Sequence, residues 1–242
     1  MSQDKPEFLL ERHPSPVAPA ERERLLQDPG FGRIFTDHMA TVRYNADRGW
    51  HDAKIEARAD LRLNPSTLVL HYAQEIFEGL KAYRLPDGSA TLFRPQANAR
   101  RFRNSAARLA MAELPEAVFV ESVEQLVRLE RDWIPSADGA SLYLRPFMIA
   151  TEVALGTKPS ADYLYAVIAS PVGAYFKGAV RPSRSGCRIT TRAPRPAAPV
   201  RPSAAAITPP ACRPRPKARA KDATRWCSSM RSSAAGSRSW VA

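Results

Sequence analysis

The sequence predicts an α+β domain followed by a basic tail. Runs of alternating apolar residues come first, helical patterns follow, and two further β-rich runs close the domain. This order favours an α+β layer over a doubly wound sheet. The composition changes near Pro182: the last 60 residues hold all three cysteines, eight prolines and thirteen Lys or Arg against the single acid Asp222. The first 182 residues balance 23 basic with 23 acidic side chains, so the tail makes the whole formal net charge of +12.

These observations divide the chain into an N-terminal arm (1–30), a folded domain (31–182) and a tail (183–242). The arm is polar and proline-bearing, and we expect it to lie extended over the surface. The tail is expected to be disordered, because recurrent Pro prevents long helices and central strands and little apolar surface offsets the ordering entropy. No apolar run approaches the roughly 20 residues that span a bilayer. A cytoplasmic, disulfide-free domain is expected.

Two hairpins are predicted at the start of the domain. Residues 31–58 alternate apolar and polar positions on either side of a break at 45–49. Residues 80–94 flank a Pro-Asp-Gly turn at 86–88, in which Pro presets φ and Gly accepts a positive φ. Each pair of runs is therefore expected to form antiparallel strands.

Two helices and two strands are predicted to follow. Pro95 suits a first helical turn, and one face of that helix would carry Phe102, Ala106, Leu109 and Ala110. Ser122 with Gln125 predicts a capping-box start to the second helix. The β-rich runs SLYLRPFMIA (141–150) and YLYAVIASPV (163–172) predict the closing strands.

The domain carries few of the usual catalytic signatures. Residues 1–182 contain no Cys, no HExxH, no GxSxG and no glycine-rich phosphate loop. The four histidines, which show no ligand spacing, are expected to be structural or on the surface, so no metal site is predicted: His13, His38, His51 and His71. Polar and aromatic groups concentrate instead in FTDHM, LHYAQEIFEGLKAYR, LFRPQANARRF, SLYLRPFMIATEVALG and SPVGAYFKG.

In this order and spacing, the five motifs resemble the branched-chain amino-acid aminotransferases from about Pro6 to Pro182. EGLKAY alone would indicate only the wider class of fold-type IV pyridoxal-phosphate enzymes. The resemblance implies the N-terminal small domain of that fold and pyridoxal 5'-phosphate as cofactor. It also implies transamination between leucine, isoleucine or valine and 2-oxoglutarate, and a homodimer.

The resemblance implies roles for three polar residues. Arg101 matches the arginine that holds the cofactor phosphate, a task suited to a guanidinium fork on a dianion. Its alternative role is that of a solvated helix arginine. Tyr143 and Arg145 match residues of the substrate pocket, where the arginine can contact a carboxylate of 2-oxoglutarate or glutamate. Residues at i and i+2 of a strand point the same way, although a half-buried aromatic and a rim charge remain the alternative.

The resemblance also implies an aromatic wall for the branched side chain. Its members would be Phe31, Tyr72, Phe77 and Tyr175. An apolar wall suits such substrates, because a branched aliphatic group gains roughly 1.5–3 kcal/mol on leaving water. Ordinary core packing is the alternative for these residues.

The resemblance stops where catalysis needs a lysine. In the family a lysine lies about 28 residues beyond the tyrosine of GAYF, bonds the cofactor and moves a proton during the reaction. In this chain that position falls at Pro202-Ser203, and the only lysines beyond residue 158 are Lys177, Lys217 and Lys221, none in that setting. No catalytic residue is therefore assigned, cofactor binding is in question, and no measurable turnover is expected.

We hypothesise that a single-base frameshift near Pro182 produced the tail. Permitted codons for residues 196–211, read from the third base of the first proline codon, spell the family-like GGTGAAKCGGNYAAS. The displaced lysine codon straddles Pro202 and Ser203. The same shift turns residues 222–237 into CDQVVFLDAVERSWV.

Two alternatives remain from other functional classes. The basic tail could bind nucleic acid or another polyanion, with an affinity that falls steeply with salt. The lack of interleaved aromatics or RGG-like repeats weighs against a dedicated nucleic-acid site. The domain could also act as a pairing module that docks on intact relatives.

Overall fold

The computed structural model describes residues 7–173. Its strands are β1 (Leu9–Leu10), β2 (His38–Asn45), β3 (Gly49–Ala57), β4 (Glu75–Phe77), β5 (Leu80–Arg84), β6 (Ala90–Leu92), β7 (Ser141–Ala150) and β8 (Asp162–Val172). Its helices are α1 (Pro19–Gln27), α2 (Leu68–Tyr72), α3 (Pro95–Arg108) and α4 (Glu116–Leu129), and a 3-10 turn covers Arg131–Trp133. This order of elements confirms the predicted α+β class. The tail at 183–242, for which disorder is predicted, lies outside the described residues.

The described strands form one mixed sheet in the order β1-β3-β2-β8-β7-β5-β6, with β4 paired to β7 off this path. Both predicted hairpins are confirmed: β2 pairs antiparallel with β3 around Asn45 and Gly49, and β5 pairs antiparallel with β6. The predicted closing strands pair along their whole length, from Ser141 opposite Val172 to Ala150 opposite Tyr163. The long β7 thus borders β8, β5 and β4, and it becomes the element around which the site is built.

The core lies between the sheet and the helices α3 and α4. The Phe102 ring centroid is 5.4 Å from that of Phe119 and 5.6 Å from that of Tyr165. All three rings are buried, and each contributes roughly 1.5–3 kcal/mol by leaving water. On β7, the even-numbered positions from Leu142 to Met148 are buried and the odd-numbered ones are half-buried. A period of two places these sets on opposite faces, so the odd-numbered residues line the other side of the sheet.

The predicted start of the second helix is wrong. The helix α4 begins at Glu116, immediately after Pro115, rather than at Ser122. The Ser122 hydroxyl donates to the Phe119 carbonyl, at 2.8 Å, and lies 3.0 Å from the Tyr165 hydroxyl. Serine side chains can satisfy local backbone carbonyls inside a helix, so the Ser-x-x-Gln pattern here serves packing rather than capping.

The N-terminal arm is not extended throughout. Pro19 occupies the first turn of α1, a position that suits its fixed φ and missing N–H. Before it, β1 adds a parallel strand to β3, and the Phe8 side chain is buried in the core. The Glu11 N–H donates to the Ile55 carbonyl at 2.8 Å. The arm is therefore an integral part of the sheet edge.

Candidate substrate and phosphate site

Three consecutive residues organise the site, the last residue of β4 and the two that connect it to β5: Phe77, Glu78 and Gly79. Both flanking strands pair with β7, and the Glu78 N–H donates to the Pro146 carbonyl at 2.8 Å, so the segment is fixed from both ends. Each of the three residues meets a different polar residue that the sequence predicts for the site. The junction thus joins the two parts of the predicted site.

The first part is a pair on β7. Tyr143 Oη accepts hydrogen bonds from Arg145 Nε, at 3.2 Å, and from Arg145 Nη2, at 2.8 Å. The guanidinium carbon of Arg145 lies 4.4 Å from the Phe77 ring centroid, within cation–π range. The Phe31 ring centroid lies 5.5 Å from that of Tyr143. A positive group beside aromatic walls can hold a carboxylate and an apolar side chain together.

Gly79 permits the approach of Tyr143. A Cβ atom at position 79 would lie 2.5 Å from Tyr143 Oη and 3.2 Å from Cζ. Because no real Cβ contact is that short, any larger residue here would push the phenol out of its place above the junction. The absence of a side chain at Gly79 therefore leaves the space that the Tyr143 hydroxyl occupies beside Arg145.

The second part is an ion pair between the junction and α3. Arg101 Nε lies 2.5 Å from Glu78 Oε1, and Arg101 Nη2 lies 2.6 Å from Glu78 Oε2. The Glu78 side chain is only 1% exposed, whereas that of Arg101 is 50% exposed. Hydrogen bonding to Glu78 raises the pKa of Arg101, so this guanidinium stays charged. Three of its five N–H groups are not used by Glu78, which leaves its outer edge for an anion.

Comparison with known proteins gives the family. No family model matches the chain. The branched-chain-amino-acid aminotransferase of Mycolicibacterium smegmatis is 54% identical over 177 residues, which are 73% of this chain and 48% of that protein. The probable branched-chain-amino-acid aminotransferase of Streptomyces coelicolor is 54% identical over 178 residues, or 73% and 49% of the two chains.

Over the matched residues, the chain belongs to the branched-chain-amino-acid aminotransferase family. The chain spans about half the length of the curated relatives it matches. Solved structures of such enzymes are also similar. The Escherichia coli enzyme has 20% identity and a TM-score of 0.45, over 57% of this chain and 41% of that one. The Thermoproteus uzoniensis enzyme with norvaline has 18% identity and a TM-score of 0.43, over 57% of this chain and 43% of that one.

The other two aromatic residues predicted for the pocket of this aminotransferase domain stand apart. The Tyr72 hydroxyl donates to the Leu155 carbonyl, and the side chain is partly exposed at the end of α2. Within residues 7–173 its ring contact is with His71, at 6.3 Å, rather than with Phe31 or Tyr143. Tyr175 and the Pro202-Ser203 position lie outside the described residues. Membership of the pocket stays a prediction for Tyr72 and Tyr175.

Sequence reasoning missed three residues of this candidate site, although all of them lie in the EGLKAY motif: Glu78, Gly79 and Lys81. Lys81 is directly opposite Tyr143 in the β5–β7 ladder. Residues directly opposite in an antiparallel pair share a face, so Lys81 adds a positive charge to the face of Tyr143 and Arg145. The alternation of LKAYR could have found Lys81, whereas the roles of Glu78 and Gly79 depend on contacts with α3 and β7.

A separate buried cluster explains the FTDHM motif. Glu130 Oε1 accepts the His38 N–H at 2.9 Å and contacts His38 Nδ1, and His38 Nε2 accepts the His13 N–H at 2.8 Å. Burial, reinforced by the nearby charge of Asp37, raises the pKa of Glu130 to about 8. Burial also lowers the pKa of His38. This cluster ties the arm to the aminotransferase domain and has a structural role.

Two kinds of feature were not found among the described residues. No helix among them is long and apolar enough to cross a membrane. No group of three or more His, Cys, Asp or Glu side chains in residues 7–173 is arranged to hold a metal ion.

Proposed function

We propose that this domain is the substrate- and phosphate-facing half of a transaminase for leucine, isoleucine or valine, with 2-oxoglutarate as the amino acceptor. The contact that supports this most is the Arg145 guanidinium, held by Tyr143 Oη and stacked on Phe77. The charge suits a substrate carboxylate, which Arg binds with directed hydrogen bonds. Phe31 and Phe77 supply the apolar surface that a branched side chain requires.

Pyridoxal 5'-phosphate is the cofactor we propose, and when bound it supplies the electron sink for removal of the amino group. Arg101 would hold its phosphate. The fit rests on the exposed half of the Arg101 side chain and on the N–H groups that Glu78 leaves unused. Arg103 fits less well, because its carboxylate partner at 2.9 Å is Glu116 of α4 and not a residue of the junction that contacts Tyr143 and Arg145. Arg100 also fits less well, because no carboxylate among the described residues orients it as Glu78 orients Arg101.

The chain as it stands is proposed to be inactive. Residues 7–173 hold three lysines: Lys54 pairs with Glu11 at 2.7 Å, Lys158 pairs with Glu152, and Lys81 lies opposite Tyr143 in the β5–β7 ladder, far in sequence from the family position of the catalytic lysine. The family position of the catalytic lysine falls at Pro202-Ser203. A reaction that depends on an amine bonded to the cofactor has no candidate there.

The tail is proposed to be the family sequence read in the wrong frame, with one base lost near codon 182. The family-like codons begin at the third base of each present codon. This offset is what the loss of one base produces, so insertion of one base would restore the frame. Sequencing the gene across codons 178–190 in the source genome checks this directly. If no single-base gain or loss there restores an aminotransferase frame, the frameshift proposal fails.

The function itself is tested in the chain with its frame restored by one inserted base. With pyridoxal 5'-phosphate, leucine and 2-oxoglutarate, that chain should form glutamate. At 2-oxoglutarate concentrations below its KM, Arg145→Met should lower this activity about tenfold, while Arg128→Gln, which changes an exposed arginine on α4, should leave it unchanged. Equal activity in the Arg145→Met chain would count against the proposed substrate site.

Two partners are also proposed. Intact family members are expected to be homodimers, and sedimentation of the frame-restored chain at several concentrations checks this.

The thirteen basic residues of the present tail should attract polyanions non-specifically, through charge alone. A gel shift with DNA that disappears steeply with salt, and that is lost when residues 183–242 are removed, would support the second expectation.

A further inference from the structure

We propose that Glu78 is a positioning residue for the anion site, which it forms by fixing the guanidinium plane of Arg101. This inference rests on the phosphate role of Arg101 proposed above. The carboxylate engages Nε and Nη2 together, at 2.5 and 2.6 Å, so the pair is side-on and bidentate. Such a fork restricts rotation of the guanidinium about its last bond. The outer edge of Arg101, formed by Nη1 and Nη2, is then held in a single orientation that faces away from Glu78.

The carboxylate is itself held in place from several sides. Asn98 Nδ2 donates to Glu78 Oε2 at 3.0 Å, and the Glu78 backbone N–H donates to the Pro146 carbonyl at 2.8 Å. The Glu78 side chain is almost completely buried. A buried carboxylate is costly without a partner, so the interaction with Arg101 persists whether or not an anion is bound. The orientation of Arg101 is therefore present before a ligand arrives.

The position of Glu78 also links the anion site to the substrate pair. Its neighbours in the chain are Phe77, which stacks under Arg145, and Gly79, which makes room for Tyr143. A displacement of Glu78 would move Arg101 relative to these two contacts. A phosphate anchor also sets where the reacting end of the bound ligand lies. A small rotation of the Arg101 guanidinium would therefore misplace the ligand even if the positive charge were kept.

Glu78→Asp in the full chain separates orientation from charge. The variant keeps the net charge and withdraws the carboxylate from Arg101 by one methylene. Inorganic phosphate is added at constant ionic strength, with chloride as the replaced anion. Binding is followed site by site through the NMR signal of the Arg101 Nε–H, because the basic tail would dominate any bulk measurement. Arg100→Gln serves as the matched control on the same helix, and Arg101→Gln reports whether the site exists.

The expected result is a resolved Arg101 Nε–H signal that shifts with phosphate in the wild-type chain and in Arg100→Gln. In Glu78→Asp the signal should broaden, and the apparent phosphate affinity should fall about fivefold, which corresponds to about 1 kcal/mol. Thermal melting identifies variants that do not fold. If Glu78→Asp is one of them, Asn98→Ala replaces it, since this change loosens Glu78 without removing any charge and should lower the affinity in the same direction.

Two results would overturn the proposal, and they can be told apart. If the folded Glu78 or Asn98 variant binds phosphate as the wild type does, Glu78 balances charge only, and the phosphate role of Arg101 stands. If signals around α3 respond to phosphate equally in Arg101→Gln and in the wild type, Arg101 is not the anion site. The proposed phosphate role then fails, and the positioning role fails with it.

Discussion

Tyr143 Oη lies 2.8 Å from Arg145 Nη2 and 3.2 Å from Arg145 Nε, so one phenol oxygen accepts hydrogen bonds from two nitrogens of the same guanidinium. The residues are two apart on β7, and both lie on its half-buried face. This contact depends on Gly79, where a side chain would meet the phenol.

Gly79→Ala should destabilise the domain by about 1–3 kcal/mol, the usual cost of forcing an extra methyl into a filled space. Its Cβ would lie 2.5 Å from Tyr143 Oη, so removal of that oxygen should relieve part of the strain. Urea denaturation of Gly79→Ala, Tyr143→Phe and the double variant measures the coupling. Additive effects of the two changes would show that the Gly79–Tyr143 contact is not tight.

Arg101→Gln should destabilise the domain by about 2 kcal/mol, because the buried Glu78 carboxylate loses its charged partner. Adding Glu78→Gln to this variant should return much of the loss, since the uncompensated charge is then absent. Urea denaturation provides the comparison, and Arg100→Gln is the control, expected to stay within about 0.5 kcal/mol of the wild type. A double variant less stable than Arg101→Gln would contradict the ion-pair account.

Glu130 should make stability fall as the pH rises from about 4.5 to just above 8, and the range from pH 7 to 9 covers the last part of this fall. The folded protein holds its proton up to a pKa of about 8, whereas the unfolded chain loses it near 4.5, so the folded state binds more protons in this window. Glu130→Gln removes that dependence, and its advantage over the wild type should grow by about 1 kcal/mol from pH 7 to pH 9. His38, whose pKa is lowered, acts at more acidic pH, where stability is lost as pH falls. Parallel curves of unfolding free energy against pH for the two proteins would show that Glu130 is already ionised in the folded state.

In the frame-restored chain, Arg145→Gln should raise KM for 2-oxoglutarate by about tenfold, because the lost guanidinium contact is made by substrate in both ground and transition states. The guanidinium contacts Phe77 and Tyr143 through their side chains, so its removal should leave the backbone and the far-UV spectra unchanged. Steady-state kinetics with leucine and 2-oxoglutarate varied separately make the measurement. Unchanged KM for both substrates would remove Arg145 from the substrate site.

Much of the fold could be predicted because its signals are local. The Pro-Asp-Gly turn at 86–88 and the break at 45–49 mark hairpins whose partners are adjacent in sequence, and both hairpins form. Ser122 misled the prediction of α4, because its hydroxyl is used by Phe119 and Tyr165, and Tyr165 is distant in sequence. Periodicity also gave no indication of β4, which has only three residues and depends on pairing with β7.

The site also contains residues that local sequence patterns could predict and residues that depend on long-range contacts. The i and i+2 spacing of Tyr143 and Arg145 placed them on one face, as the structure confirms. Glu78 could not be predicted as the partner of Arg101, because the two are 23 residues apart and meet only when α3 packs beside the β4–β5 junction. Polar residues in short connections between strands usually face solvent. Neither the composition nor the hydrophobic periodicity of the sequence therefore indicated that Glu78 is buried.

The most direct test of the account is an assay of leucine and 2-oxoglutarate turnover with pyridoxal 5'-phosphate, for this chain and for the chain made after one base is inserted near codon 182. We predict that the present chain forms no glutamate and shows no pyridoxyl adduct by mass spectrometry after borohydride reduction, whereas the frame-restored chain gives both. Leucine turnover with a trapped adduct in the present chain would contradict the account.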